Sequence, residues 1–188
     1  DSLRDYQRTG AHFLRRHGSV LLADQPGLGK TIQTLGSIVA HASMQDRDPT
    51  SHRPDPAKAH TRWHLIVTPK VAVNNVWVPE IGRWLRDKRV ETLALTGTLA
   101  ERQAALVGFS PRPETEHVFV VVNLESMRIK PVVDTYPKSL RPTAREIIRF
   151  SVKKKVDGKQ VKIPMAYHPE NGLVPGLLDR EWDTVVCD

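Results

Sequence analysis

Apolar positions along the chain alternate between two spacings, and the changes of spacing divide it into short elements. Leu3, Tyr6, Gly10, Phe13 and Leu14 recur at near-helical intervals, which predicts an amphipathic helix over 3–16. SVLLA (19–23) is a brief apolar run ending in a turn rich in Gly and Pro, and it reads as a buried strand. From Lys30 the period lengthens, with Ile32, Leu35, Ile38 and Val39 on one face of a helix reaching about His41. HLIVT (64–68), VETLAL (90–95), HVFVVV (117–122) and TVVCD (184–188) supply four more strands. Between them lie a helical turn or two over 71–78, a helix opened by Pro79 with Ile81, Trp84 and Leu85 on one face, and a helix over 99–106. Strands alternating with helices predict an α/β fold, a mostly parallel doubly wound sheet whose ligands sit at the carboxyl ends of its strands.

Two stretches break this rhythm. Residues 43–62 are polar, proline-rich and without period, as expected of a solvated loop. Residues 129–180 form an insertion, within which FSVKKKVDGKQVKIPM (150–165) alternates on both sides of Asp157-Gly158, a two-residue hairpin signal. Pairing about that turn puts Phe150, Val152, Val156, Val161, Ile163 and Met165 on one face, with Lys154 and Lys159 intruding. Lys153, Lys155 and Lys162 fall on the other.

Charge sharpens the picture of that insertion. The chain carries a formal +7, yet residues 128–168 alone hold eleven Lys/Arg against three Asp/Glu, and the remainder is close to neutral. Such local charge fits an anionic partner meeting one region, or equally a loop kept soluble by its lysines. At 188 residues and 39% apolar content, one sizeable core is expected. There is no apolar run of membrane-spanning length and no leader pattern, so no membrane partner is expected. A single cysteine, Cys187, suits a reducing interior.

The candidate chemistry begins at LLADQPGLGKT (21–31). A turn between a strand and a helix can direct consecutive backbone N–H groups, and the positive end of the helix dipole, onto phosphate oxygens. Gly27 and Gly29 allow close approach, with Leu28 between them. Lys30 is placed to reach the β- and γ-phosphates of a nucleotide, and the Thr31 hydroxyl to bind Mg²⁺. Val185-Val186-Cys187-Asp188 is an apolar strand closing on a carboxylate, the second element with which phosphate-loop enzymes hold magnesium.

These segments, in this order, resemble the first RecA-like lobe of a superfamily-two helicase, most closely a Swi/Snf-type DNA translocase. There the phosphate loop reads approximately L-A-D-E-x-G-L-G-K-T, so Asp24 stands where the family expects it, while Gln25 and Pro26 depart from the pattern. LRDYQ (3–7) is similar to an L-R-x-Y-Q motif whose glutamine recognises adenine, which implies that role for Gln7. LIVTPK (65–70) and VVVNLESMR (120–128) resemble strand ends that touch a DNA backbone, implicating Thr68, Lys70 and Asn123. VWVPEIGRW (76–84) resembles the family's N-W-x-x-E-x-x-x-W helix, LTGT (95–98) its glycine-containing turn, and WDTVVCD (182–188) the approach to a D-E-x-H box.

The resemblance implies ATP and Mg²⁺ as cofactors, Lys30 and Asp188 as catalytic groups, and duplex DNA as a partner gripped without regard to sequence. It implies a second RecA-like lobe of the same protein, and a water-activating glutamate after the position of Asp188. The 188 residues are therefore expected to be one lobe cut at the magnesium motif, with little turnover by itself. Lys153, Lys155 and Lys162 are candidates for an added nucleic-acid contact. An RNA helicase lobe of the DEAD/DEAH type and a non-hydrolysing nucleotide- or nucleic-acid-binding module are the competing readings. A small-molecule phosphate-loop kinase explains neither Gln7 nor the ordered DNA-contact segments.

Overall fold

The computed structural model describes residues 3–45, 61–86, 89–127, 131–133, 148–156, 159–167, 176–177 and 180–188. Helix α1 (Asp5–Arg16) is followed by α2 (Lys30–Gln45) and strand β1 (Arg62–Thr68). A continuous helical run then passes through α3 (Lys70–Ala72), a π-helical turn (Val73–Trp77) and α4 (Val78–Trp84), with Pro79 in its first turn. Next come β2 (Val90–Leu95), α5 (Leu99–Gly108), β3 (His117–Asn123) and a 3₁₀ turn (Leu124–Met127). Strands β4 (Pro131–Val133), β5 (Ile148–Val156), β6 (Lys159–Tyr167) and β7 (Thr184–Cys187) complete the order.

Strands β2, β3, β1 and β7 lie side by side in that order, all parallel, as the alternating pattern predicts. Strand β3 is internal and buried from His117 to Val122, which explains its unbroken apolar run. Side chains alternate between the faces. Ile66, Phe119, Val121 and Val186 pack against Leu35 and Ile38 of α2 and against Trp77, Ile81 and Leu85. On the opposite face Leu65, Val67, Val118, Val120 and Val122 pack against Leu106 of α5, Leu95 and Leu177. Strand β7 is tied in at its start, where the Trp63 backbone N–H donates to Asp183 Oδ2 at 2.7 Å.

The apolar run at 19–23 forms no strand. Leu21 is 84% exposed and Val20 39%, so hydrophobicity alone misplaces this segment. A strand needs a neighbour to bond, and this segment is not paired to β7, which stands at the edge of the four-stranded sheet. Strand β4, absent from the sequence reading, joins β6 and β5 in a separate antiparallel sheet. Its hairpin pairs Val152 with Ile163 and Lys153 with Lys162, the register expected about Asp157-Gly158; the turn residues lie outside the described residues. The polar loop expected at 43–62 gives way to α2 as far as Gln45, while 46–60 lie outside the described residues.

Candidate nucleotide site and nucleic-acid cleft

The loop before α2 turns through two left-handed residues, Gly27 at φ 86° and Gly29 at φ 73°. Only glycine adopts this backbone without strain, so the loop's shape is written into these two positions. A Cβ at Gly27 would meet nothing within 4 Å, so there is open space beside this residue. Lys30, at the start of α2, folds back onto the loop, its Nζ donating to the Asp24 carbonyl at 2.9 Å and the Gln25 carbonyl at 3.3 Å. Pro26 lies between these carbonyls and the glycines, so the missing proline N–H falls outside the Gly27–Thr31 segment. Gln7 approaches from α1, donating from Nε2 to the Leu28 carbonyl at 3.4 Å while its Oε1 accepts from the Arg4 N–H at 3.1 Å. Gln7, Leu28 and the lysine loop are thus brought together.

Asp188 follows β7 at the carboxyl end of the sheet, its N–H bonded to the Val67 carbonyl at 2.9 Å. Its Oδ2 accepts from Thr68 Oγ1 at 3.1 Å and from Trp77 Nε1 at 2.9 Å. Thr68, the expected backbone contact, has no exposed surface, and its hydroxyl is turned to the acidic residue that follows the next strand. Trp77, 2% exposed, was missed as a site residue, although it lies within the VWVPEIGRW segment that marks this helix.

Lys70 and Asn123 do come together. They line a cleft of about 320 Å³ at the carboxyl ends of β1, β2 and β3, together with Asn74, Thr96, Gly97 and Arg102. Glu125 also lines it. The Asn123 amide is engaged locally, donating to Glu125 Oε2 at 2.9 Å and accepting from Ser126 Oγ. Arg102 donates to the Gly97 carbonyl at 2.8 Å. Thr98 caps α5 in a reciprocal arrangement with Glu101, whose carboxyl is held below its ordinary range by the Thr98 backbone N–H and hydroxyl. The LTGT signal marked this turn in the sequence, but Asn74 and Arg102 lie on helix faces with no distinguishing pattern. Lys153 and Lys162 are exposed on the hairpin, directly opposite each other; Lys155 is at the register position opposite Gln160.

A profile of the SNF2-related domain matches residues 6–161. The chain belongs to the SNF2-related family. It is 33% identical over 123 residues to Helicase domino of Drosophila melanogaster, covering 63% of this chain and 3% of that protein. It is 31% identical over 137 residues to Protein CHROMATIN REMODELING 25 of Arabidopsis thaliana, covering 68% and 14% respectively. This SNF2-related chain therefore spans a small part of the length of these curated relatives. Among solved structures it is similar to the Sulfolobus solfataricus SWI2/SNF2 ATPase core in complex with dsDNA, at 21% identity and a TM-score of 0.41, covering 65% of this chain and 21% of that one. Family membership agrees with the resemblance read from the ordered segments.

Proposed function

We propose that this chain is the ATP-binding lobe of a DNA-dependent ATPase that converts ATP hydrolysis into movement along duplex DNA. The observation that carries the reading is the phosphate loop: a turn with two left-handed glycines, with open space beside Gly27, leading into a 16-residue helix that begins at Lys30. Lys30 is held by two neutral carbonyls, and a phosphate oxygen is a stronger acceptor for the ammonium than either. Backbone N–H groups at the start of α2 complete an anion site.

In this reading Gln7 reads the adenine edge, since an amide both donates and accepts. Gly27, Leu28 and Gly29 shape the cradle for the triphosphate. Thr31 and Asp188 hold Mg²⁺, which when bound offsets charge developing on the phosphates. Among the described residues no three His, Cys, Asp or Glu side chains converge. A magnesium ion held by one carboxylate, one hydroxyl and phosphate oxygens is normal for that metal. Thr68 and Trp77 fix the orientation of Asp188, whose position beside β1 couples the magnesium group to the strand leading to Lys70. Lys70 and the neighbouring polar cleft then grip a phosphate backbone, which makes binding indifferent to base sequence. A second lobe of the same protein is the natural source of the remaining groups on the γ-phosphate.

Phosphate release by the intact protein, measured with duplex DNA, single-stranded DNA and RNA, tests this. Stimulation by duplex DNA that is abolished by Lys30→Ala supports the reading. Equal or stronger stimulation by RNA transfers the lobe to the RNA helicases, and nucleotide binding without turnover makes it a binding module.

A further inference from the structure

Gln33 lies one turn into α2 and has no exposed surface. Its Nε2 donates to Asp24 Oδ2 at 3.0 Å and to the Leu28 carbonyl at 3.3 Å. Both acceptors belong to the phosphate loop, one on each side of the first glycine. The Leu28 carbonyl is also the acceptor for Gln7 of α1. One carbonyl oxygen therefore receives amides from both helices.

The other end of the Gln33 amide is unusual. Its Oε1 is buried with no hydrogen-bond partner. It stands only 1.7 Å from where a Cβ would project from Gly10, so α1 can lie against this amide only because residue 10 has no side chain. Reversing the amide would turn its oxygen onto the Asp24 carboxylate and the Leu28 carbonyl, so the observed orientation is enforced. A buried acceptor left without a donor is costly. A methionine of similar length would fill the space without that cost. The amide is retained at a junction of helix, loop and helix where packing alone does not call for it.

We propose that Gln33 is a positioning residue that locks the adenine-reading helix to the phosphate loop, so that base and triphosphate are gripped as one ligand. The inference depends on the nucleotide site assigned above. Two contacts to one ligand reinforce each other only when the parts bearing them keep a fixed separation. Asp24, Leu28, Gln33 and Gly10 supply that fixed separation between Gln7 and Lys30.

The test compares three ligands in the intact protein: MgATP, MgGTP and inorganic tripolyphosphate, which occupies the loop without a base. Gln33→Met is expected to melt at the wild-type temperature or above it. It should weaken MgATP about tenfold and narrow the preference for ATP over GTP to a similar extent, while tripolyphosphate changes by less than about twofold. Gly10→Ala should give the same pattern, because its methyl displaces the amide. Equal weakening of MgATP and tripolyphosphate overturns the coupling and leaves Gln33 a brace of the loop alone. A lowered melting temperature with unchanged binding also overturns it, in favour of packing. A wild-type protein that binds none of the three overturns the nucleotide site itself, a result distinct from either.

Discussion

Thr68 and Asp188 are joined across neighbouring parallel strands, the hydroxyl at the end of β1 donating to the carboxylate that follows β7. Trp77 donates to the same oxygen, Oδ2, from the π-helical turn. Two donors on one oxygen fix the carboxylate plane, and with it the direction in which the group can ligate a cation. Thr68→Val keeps the buried shape and removes one donor. Asp188 is exposed, so water replaces the lost bond and stability should fall by about 1 kcal/mol or less. The expected effect is on the metal: the Mg²⁺ concentration for half-maximal ATP turnover should rise several-fold, and Trp77→Phe should act in the same direction. An unchanged Mg²⁺ titration in both variants removes Asp188 from the magnesium site.

The sheet also contains a buried histidine pair. His64 Nε2 and His117 Nδ1 are 2.9 Å apart across β1 and β3, the rings stack, and Phe119 packs against His64. Burial, then the neighbouring His117 and Arg62, push the His64 pKa down to about 3. The native state therefore holds His64 neutral, while the unfolded chain protonates it below about pH 6.5. Its contribution to stability is complete above that pH and is lost progressively as pH falls toward 3. At pH 5 the loss is about 2 kcal/mol, or roughly 4–8 °C in melting temperature for a domain of this size. The His64→Phe/His117→Phe double variant should lose less on going from pH 7.5 to pH 5. Identical slopes for variant and wild type place the acid sensitivity elsewhere.

The glycines of the phosphate loop separate conformational strain from steric conflict. Gly27→Ala forces a methyl-bearing residue into the left-handed region but meets no neighbour, so it should cost about 1–2 kcal/mol and leave Gln7 in place. Gly29→Ala carries the same strain and also sets its Cβ 2.6 Å from Gln7 Nε2 and 3.0 Å from Ile32 Cγ2. It should therefore weaken ATP more than Gly27→Ala does and lose base preference as well. Equal loss in the two variants, measured as affinity for ATP and GTP, would show that Gln7 does not sit against the loop in solution.

Much of this was legible in advance, for physical reasons that differ by element. The buried run of β3 and the helical period from Ile32 to Val39 are set by solvent exclusion, which the sequence records directly. SVLLA (19–23) carries a similar apolar signal but forms no strand, because pairing depends on distant segments. The hairpin register about Asp157-Gly158 was readable because turn chemistry fixes it locally. A threonine at a strand end looks alike in sequence whether it faces solvent or, as Thr68 does, a carboxylate 120 positions away. Gln33 and Trp77 were missed for the same reason: their partners are made neighbours by the fold and by nothing in their local pattern.

The cleft at the strand ends yields a graded expectation for nucleic acid. Lys70 is exposed at its rim, whereas the Asn123 amide is already bonded to Glu125 and Ser126. A lysine on a phosphate releases about one counterion, so Lys70→Gln should lower DNA affinity and reduce the slope of log affinity against log salt by about one. Asn123→Ala removes no charge and should leave that slope unchanged, with a smaller loss of affinity. Lys153 and Lys162 sit directly across β5 and β6, where like charges repel and an anion between them relieves the repulsion. Replacing both by glutamine should reduce the slope further if the hairpin meets the same DNA, and titrations of the three variants at several salt concentrations measure each share. A flat response to the hairpin pair with a normal response at Lys70 confines the backbone grip to the cleft, and the reverse moves it to the insertion.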